Sequence, residues 1–207
     1  MKILLIGGLG YIGSYLYHYL KSKMIEVNIC DDLRRGNPLD LPCSYPYDYH
    51  GLTSKELGNY DAVLWFAGHS SVSTAMADPM GAINNNMIHL IELLKKLPNE
   101  NIKFIYASTA SLYSGEDGYA NESARVVPYE NIYDISKFSF DYLSKNYHSN
   151  LFGLRMGTLA GFSSNIRTEL IFNQMCLSAY FNKQVKVANK TKFRSILFLS
   201  DLVIYDK

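Results

Sequence analysis

The chain has 207 residues, of which 48% are hydrophobic and 19% charged, a composition typical of a globular protein with one buried core and a small appendage. The formal net charge of +1 gives no support for binding nucleic acid or an acidic membrane surface, and no apolar stretch reaches the roughly 18 residues that cross a bilayer. The three cysteines have no metal-like spacing, so we expect reduced thiols, no metal site and a cytoplasmic location.

Short apolar runs alternate with longer segments of helical periodicity along most of the chain. The runs predict strands at 2–6, 26–30, 62–67, 102–107 and 151–155, and the periodic segments predict helices at 11–23, 78–97 and 132–146. Strands that alternate with helices of this length are typical of right-handed βαβ units. The sequence therefore predicts an α/β protein with a Rossmann-type, doubly wound parallel sheet.

The pattern changes after residue 156. A small, polar stretch at 157–165 is followed by a predicted helix at 167–181 and by short predicted strands at 185–187 and 195–199. We therefore expect one complete domain at 1–156 and a smaller, partial region at 157–207.

A glycine-rich turn separates the first predicted strand from the first predicted helix. Its sequence, GGLGYIG at 7–13, places Gly7, Gly10 and Gly13 at the spacing of a dinucleotide-binding turn. Such a turn needs glycine for the tight bend, for the approach of backbone to a pyrophosphate and for close packing of helix on strand. The helix N-terminus then presents free N–H groups and a positive dipole end to the anion.

An acidic residue, Asp31, follows the second predicted strand at the distance expected from this turn. A carboxylate at this position accepts both hydroxyls of the adenosine ribose, which favours NAD over the 2′-phosphate of NADP. Arg34 and Arg35 lie close enough in sequence to keep NADP open as an alternative.

Tyr133 and Lys137 lie four residues apart, on one face of a predicted helix. A lysine charge stabilises a phenolate, so we expect the pKa of Tyr133 to fall below its ordinary value of about 10 and the tyrosine to act as an acid or base. Thr109 follows the fourth strand, at the edge of the sheet where open α/β folds bind ligands. These three residues are the predicted catalytic group.

Taken together, these motifs resemble the extended short-chain dehydrogenase/reductase superfamily, and within it the NAD-dependent nucleotide-sugar epimerase/dehydratase family. The matching segments run in family order over nearly the whole chain: GGLGYIG at 7–13, Asp31, FAG at 66–68, Asp78-Pro79 with Asn86 downstream, STASLY at 108–113, Tyr133 to Lys137, Leu154-Arg155, and Arg194-Ser195-Ile196 before Asp201-Leu202.

The resemblance implies roles for individual residues. Tyr133 and Lys137 would be the catalytic pair that also contacts the cofactor, and Thr109 would bind the substrate as well as take part in catalysis. The implied NAD-binding residues are Gly7, Gly10, Tyr11, Ile12, Gly13, Asp31, Asp48, Tyr49, Phe66, Ala67 and Gly68, with Asp48 and Tyr49 near the adenine. The implied nucleotide-sugar-binding residues are Arg167, Asn173 and Arg194. The alternative for Arg167 is a solvated residue on the surface of a helix.

The implied activity is NAD-dependent 4-epimerisation of a nucleotide diphosphate sugar, with a UDP-hexose as the expected substrate and a homodimer as the expected assembly. Residues 1–156 would form the NAD-binding domain and 157–207 part of the sugar-binding region. Thr158 replaces an asparagine common in galactose epimerases, which leaves the sugar open. Ala110 and Ser111 stand where dehydratases carry an Asp-Glu pair, which argues against dehydration.

Two other functions remain open at this point. The same residues suit a net oxidoreductase, such as a 4-keto-sugar reductase using NAD(P). Members of the family also continue beyond the point matching Lys207, with helices that close the sugar site, so a fragment or short form with an incomplete lid and no activity is the other alternative.

Overall fold

The computed structural model describes residues 1–113, 120–124, 126, 131–187 and 194–203. Its main sheet has five parallel strands in the order β2-β1-β3-β4-β5. These strands are β1 (Lys2–Ile6), β2 (Glu26–Cys30), β3 (Ala62–Trp65), β4 (Lys103–Thr109) and β5 (Leu151–Met156). The Rossmann-type parallel sheet predicted from the sequence is confirmed.

Helices connect these strands. They are α1 (Tyr11–Ser22), α2 (Ser54–Leu57), α3 (Val72–Ala77), α4 (Pro79–Ile83), a π-helical turn at Asn84–Ile88, α5 (His89–Lys95) and α6 (Ile132–Leu143). Short 3₁₀ turns lie at Tyr49–Gly51, Ala110–Tyr113, Ser144–Asn146 and Asp201–Val203.

The first strand shows why the sheet is buried on both faces. Leu4 and Ile6 join one apolar cluster, whereas Ile3 and Leu5 join the cluster on the opposite face. Successive side chains of a strand point to opposite faces, so a continuous apolar run fits a sheet that is covered twice.

The chain order reverses between β1 and β3. From β1 the chain crosses outward to β2 and then returns to pair β3 on the other side of β1. Ile6 is paired with both Cys30 and Trp65, so the residues that follow these three strands meet at one edge. This reversal point is where open α/β sheets bind ligands.

A smaller unit follows β5. Strands β6 (Thr158–Ala160) and β7 (Ile196–Phe198) form a two-stranded parallel sheet, and α7 (Ile171–Asn182) contacts β6. The loop between β6 and α7 reaches back to α1, where Ser163 Oγ and Ser14 Oγ share a hydrogen bond of 2.6 Å.

The structure corrects the sequence expectations at four places. The single helix expected at 78–97 is divided into α4, the π turn and α5, and the helix expected at 167–181 begins only at Ile171 because Leu170 is extended, with φ −67° and ψ 135°. Residues 185–187 are irregular, and the strand in the polar segment, β6, was not predicted. None of the described helices has the length and apolar character needed to cross a membrane.

Candidate functional site

The glycine turn after β1 is as tight as its sequence suggests. Gly7 has a φ of +77°, a conformation that L side chains rarely adopt, and its N–H donates to Cys30 O at 2.8 Å. A Cβ on Gly13 would lie 2.1 Å from Gly7 O, so only glycine allows α1 to pack against the turn. Gly13 therefore acts through packing behind the turn.

The N-terminus of α1 faces the cavity in front of the turn. Gly10 is the N-cap and supplies no side-chain hydrogen bond, and the first turn of α1 carries no acidic residue. The free N–H groups and the positive dipole end of the helix are therefore available to an anion. Gly7, Gly10, Tyr11 and Ile12 line the cavity at this end.

Asp31 closes one side of the cavity. Its Oδ2 accepts from Leu9 N at 3.0 Å and its Oδ1 accepts from Leu33 N at 2.9 Å. Burial raises the pKa of the Asp31 carboxyl, while the two backbone hydrogen bonds act in the opposite direction. Each carboxylate oxygen keeps a second lone pair, so Asp31 can still accept hydroxyl donors.

Asp48 and Tyr49, which the family resemblance places near the adenine, also line the cavity. Asp48 accepts from His50 N at 2.9 Å and lies 3.7 Å from the Arg34 guanidinium. Tyr49 is buried, and its hydroxyl donates to Asn85 O at 2.5 Å. These contacts hold both residues in place, so this wall of the cavity is preformed.

The cavity has a volume of about 330 Å³ and runs from Asp31 and Asp48 past the glycine turn. Phe66, Ala67 and Gly68 line it on the β3 side, and Arg167 lines it on the side of the smaller unit. Arg34 is paired with Asp32 at 2.6 Å. Three of the predicted cofactor residues are outside the cavity lining: Gly13, which lies behind the turn, and Tyr133 and Lys137.

Lys137 lies beyond Gly68, buried at the carboxyl end of β4. Its Nζ donates to Ala107 O at 2.9 Å and lies 4.5 Å from the centre of the Trp65 ring. Burial lowers the pKa of Lys137 to about 7, and the charge of Asp141 opposes this shift. At neutral pH Lys137 is therefore only partly charged.

Tyr133 is half-buried next to Thr109. The pKa of Tyr133 is raised, chiefly by burial and also by the Asp134 charge, whereas a hydrogen bond donated by Thr109 and the charge of Arg167 act to lower it. The expectation that Lys137 lowers the pKa of Tyr133 is wrong for the protein without ligand. The Lys137 side chain is held against Ala107 O and Trp65, and it is only partly charged.

The sequence motifs assign no role to Asn86, but its side chain lies beside Gly68, as does that of Lys137. Its Nδ2 donates to His69 O at 3.2 Å and Ser136 Oγ at 3.0 Å, while its buried Oδ1 has no partner among the described residues. A Cβ on Gly68 would lie 2.6 Å from this oxygen and 2.9 Å from Lys137 Nζ. An acceptor and an amine thus converge behind Gly68, which itself lines the cavity.

Asp141 is a second, partly buried polar residue near Lys137 to which the sequence motifs assign no role. It accepts hydrogen bonds from the Tyr106 hydroxyl and from Ser108 Oγ, both at 2.9 Å, and from Arg155 Nε at 3.3 Å. No sequence signal distinguishes this aspartate from a solvated helix residue. Its position one turn after Lys137 keeps a negative charge near the buried amine.

The three predicted substrate residues differ in position. Arg167 lines the cavity and donates to Ser70 Oγ and Glu169 Oε1, both at 2.8 Å, so the alternative of a helix-surface residue is wrong. Asn173 is buried and bonds to Gly161 N, Tyr11 Oη and Arg167 O. Arg194 is exposed and donates to Thr158 at 3.5 Å. Neither Asn173 nor Arg194 belongs to the described cavity lining.

A parallel sheet with a glycine turn at its reversal point and a Tyr-Lys pair at the end of β4 defines an α/β protein of the extended short-chain dehydrogenase/reductase type. The chain belongs to the NAD dependent epimerase/dehydratase family, whose model matches residues 3–203.

Several known proteins are similar to this chain. UDP-glucose 4-epimerase of Azospirillum brasilense is 32% identical over 145 residues, which are 66% of this chain and 41% of that protein. The enzyme of the same name from Lactobacillus helveticus is 33% identical over 55% of this chain and 37% of that protein. The chain therefore spans about two fifths of the length of these curated relatives.

Solved structures share the fold. UDP-glucuronic acid 4-epimerase from Bacillus cereus, in complex with UDP-glucuronic acid and NAD, has a TM-score of 0.81 at 26% identity, covering 98% of this chain and 70% of that one. The NDP-hexosamine 5,6-dehydratase TunA has the same TM-score at 21% identity, with 97% and 69% covered. The second likeness shows the fold alone.

Proposed function

We propose that the cavity at the sheet reversal binds NAD. The Gly7–Gly13 turn with the open N-terminus of α1 carries this proposal, because it offers N–H groups and a positive dipole to a pyrophosphate. Asp31 would hold the adenosine ribose, with Asp48 and Tyr49 near the adenine. At the other end, the unpartnered Asn86 Oδ1 and Lys137 Nζ would hold the second ribose.

NAD is expected to bind more tightly than NADP. Both oxygens of Asp31 are fixed by backbone donors, so a 2′-phosphate would be placed against a carboxylate that cannot turn away. Arg34 is already paired with Asp32 and Asp48. Calorimetric titration of the purified protein with each dinucleotide measures the preference, and tighter binding of NADP would contradict the role of Asp31.

Two glycine substitutions should separate folding from cofactor binding. Gly10→Ala places a Cβ 3.3 Å from Gly7 O, which needs only a small adjustment, but adds a methyl group to a residue that lines the cavity. Gly13→Ala places it 2.1 Å from the same oxygen. An open helical Gly→Ala change stabilises by about 1 kcal/mol, whereas forced overpacking costs about 1–3 kcal/mol or more, so Gly13→Ala should be destabilising overall.

Thermal unfolding and NAD titration of both variants give the measurement. We expect Gly10→Ala to unfold like the parent protein and to lose NAD affinity by about tenfold or more, which corresponds to about 1.4 kcal/mol. Gly13→Ala should lose both stability and affinity. Parental NAD affinity in Gly10→Ala would show that no ligand approaches the turn.

We propose that the chain takes part in 4-epimerisation of a nucleotide diphosphate hexose, with a UDP-sugar as the substrate. The proposal is carried by the arrangement of Tyr133, Thr109 and Lys137 at the end of β4 beside the cavity, and the similarity to UDP-glucose 4-epimerases supports it. Incubation of the NAD-loaded protein with UDP-glucose should give UDP-galactose on chromatography. A protein that binds NAD and gives no interconversion of either sugar would overturn this proposal and leave the cofactor proposal standing.

In this reaction Tyr133, as the phenolate, would take the proton of the 4-hydroxyl and later return it, with Thr109 holding the same oxygen. NAD, held by the glycine turn and Asp31, would supply reversible hydride chemistry at C4 of the sugar. Lys137 would contribute its remaining positive charge and its hydrogen bonds. Because burial holds the pKa of Lys137 near 7, that charge depends on the groups that surround it in the loaded site.

The two parts of the chain would divide this work. Residues 1–156 would bind NAD and carry the catalytic pair, and residues 157–207 would contribute to the nucleotide-sugar site. Arg167 has the best support among the substrate residues, since its guanidinium lines the cavity and its charge acts on Tyr133. The support for Asn173 and Arg194 is the family resemblance alone.

We also propose a homodimer in the cytoplasm. The segments α4–α5 and α6 carry exposed apolar side chains at Met80, Ile88, Ile135 and Tyr142, a pattern that suits helix pairing between two copies. Sedimentation at micromolar concentration should give the dimer mass, and a monomer would overturn this part. The cysteines described, Cys30, Cys43 and Cys176, are all free, which agrees with a reducing compartment, and cell fractionation tests the location.

A further inference from the structure

A segment of the smaller unit joins the loops that follow β1, β2 and β3. Asn165 Nδ2 donates to Leu9 O of the glycine turn at 2.9 Å and to Arg35 O, after β2, at 3.3 Å. Two residues later, the Arg167 guanidinium donates to Ser70 Oγ, after β3, at 2.8 Å. One short segment thus contacts all three loops that meet at the sheet reversal.

These contacts place the segment across the cavity. Strands β2 and β3 pair with opposite edges of β1, so the loops that follow them lie on opposite sides of the glycine turn. Arg35, Ser70 and Arg167 all line the cavity. The floor of the cavity consists of strand ends and the N-terminus of α1, whereas residues 165–169, here called the strap, belong to the unit after β5. The strap therefore crosses the cavity from one side of the turn to the other.

Further polar contacts fix the strap in this position. Arg167 O accepts from Asn173 Nδ2 at 3.0 Å, and the same amide donates to Tyr11 Oη at 3.2 Å. Glu169 Oε1 accepts from Arg167 Nε at 2.8 Å and lies 4.0 Å from Arg35 Nη1. The strap is thus closed in the protein without ligand.

The strap has the character of an element that opens. Its sequence, NIRTE, contains a single apolar residue, Ile166, which is 38% exposed. The side chain of Glu169 is 56% exposed, so its ion pairs are near water. Hydrogen bonds and exposed ion pairs therefore hold the strap with little apolar packing, and segments held in this way open at low cost in free energy.

We propose that the strap is a gate on the cofactor cavity, which opens when a dinucleotide enters or leaves and closes over its pyrophosphate. A dinucleotide that extends from Asp31 to Gly68 passes the glycine turn and therefore lies beneath the strap. This role rests on the proposed binding of NAD. A closed strap suits a cofactor that is reduced and reoxidised in place, whereas a net oxidoreductase must exchange its cofactor in every turnover.

A gate acts on rates rather than on affinity. The strap must open for both entry and exit, so a weaker anchor raises the association and dissociation rate constants by the same factor and leaves their ratio, Kd, unchanged. Asn165→Ala removes the two hydrogen bonds to Leu9 O and Arg35 O, and Asn165 is not among the described residues that line the cavity. We expect both rate constants to rise by about three- to tenfold. Ser70→Ala removes the anchor on the opposite side and should act in the same direction.

NADH serves as the probe. The chain has one tryptophan, Trp65, whose ring lies beside Gly68 of the cavity lining, so energy transfer from Trp65 to NADH reports binding. Stopped-flow mixing gives the association rate constant, and displacement by excess NAD gives the dissociation rate constant. Asn150→Ala is the matched control, because it removes a hydrogen bond to Asn101 O just before β5, at the edge of the sheet away from the cavity. This control should leave both rate constants unchanged.

The outcomes distinguish a gate from a ligand contact. A parallel rise of both rate constants at constant Kd supports the gate. Faster dissociation alone, with weaker binding, would mean that Asn165 stabilises the bound dinucleotide without barring its path, and would overturn the proposal. Measurable binding with unchanged rate constants in Asn165→Ala and Ser70→Ala would overturn the gate alone. A parent protein that binds no NADH would overturn the cofactor proposal and the gate with it.

Discussion

Replacing Tyr133 with phenylalanine is expected to lower the rate of sugar interconversion by about 10²–10⁴-fold, the range that general acid–base catalysis contributes. The substitution removes one hydroxyl and leaves the half-buried ring in place. NAD should still bind, because the glycine turn and Asp31, which hold the pyrophosphate and the adenosine ribose in our proposal, are unchanged. The measurements are the interconversion rate of UDP-glucose and UDP-galactose and the calorimetric affinity for NAD.

The same helix offers a matched control. Tyr142 is also on α6 but is 70% exposed, so Tyr142→Phe removes the same atom away from the site. This variant should retain the parental rate and NAD affinity. Full activity in Tyr133→Phe would exclude Tyr133 as the base, whatever the result with the control.

The strands could be predicted because continuous apolar runs in the sequence indicate burial on both faces. Leu4 and Ile6 face one layer of the core and Ile3 and Leu5 the other, so a run without polar residues has few alternatives to a central parallel strand. The glycine turn could also be predicted, since close contacts between backbone atoms require glycine at positions 7 and 13.

The helix at 78–97 was harder, because periodicity does not reveal a change in helix type. Three consecutive asparagines, at 84–86, lie in the π turn, where Asn85 Nδ2 donates to Ala67 O at 2.9 Å. Asn86, in the same turn, donates to His69 O and to Ser136 Oγ. π turns are frequent at functional sites, so a polar run inside an apolar helix pattern is informative.

The segment around the start of α7 could not be predicted because its conformation depends on distant residues. Arg167 bonds to Ser70, and Asn173 bonds to the Tyr11 hydroxyl, which itself donates to Gly161 O at 2.6 Å. These partners are far apart in sequence, and helix periodicity carries no information about them. The pKa of Tyr133 escaped prediction for the same reason, since its burial and the direction of Lys137 arise from packing.

Lys137→Met is expected to stabilise the protein while removing a proposed catalytic group. Burial lowers the pKa of this lysine to about 7, against about 10.4 in an unfolded chain. Such a shift corresponds to about 3–5 kcal/mol of stability lost when the amine is charged. Loss of the hydrogen bond to Ala107 O and of the contact with Trp65 costs about 2 kcal/mol, so a net gain of about 2 kcal/mol remains near pH 6.

The pH dependence of this gain provides the sharper test. Below pH 7 both the folded and the unfolded chain carry the proton, so the parent protein bears the full cost of a buried charge. Between about pH 7 and pH 10 the folded lysine is neutral while the unfolded one is still protonated, so the parent becomes more stable as the pH rises and the gain from methionine shrinks. Urea unfolding of both proteins at pH 6 and pH 9.5 measures the difference.

Lys145→Met, at an exposed position beyond the same helix, serves as control and should show no such trend. An advantage for Lys137→Met that grows with pH would mean that the amine is charged and well compensated in the fold, whereas the expected decline would identify Lys137 as a group kept at a cost in stability for its chemistry.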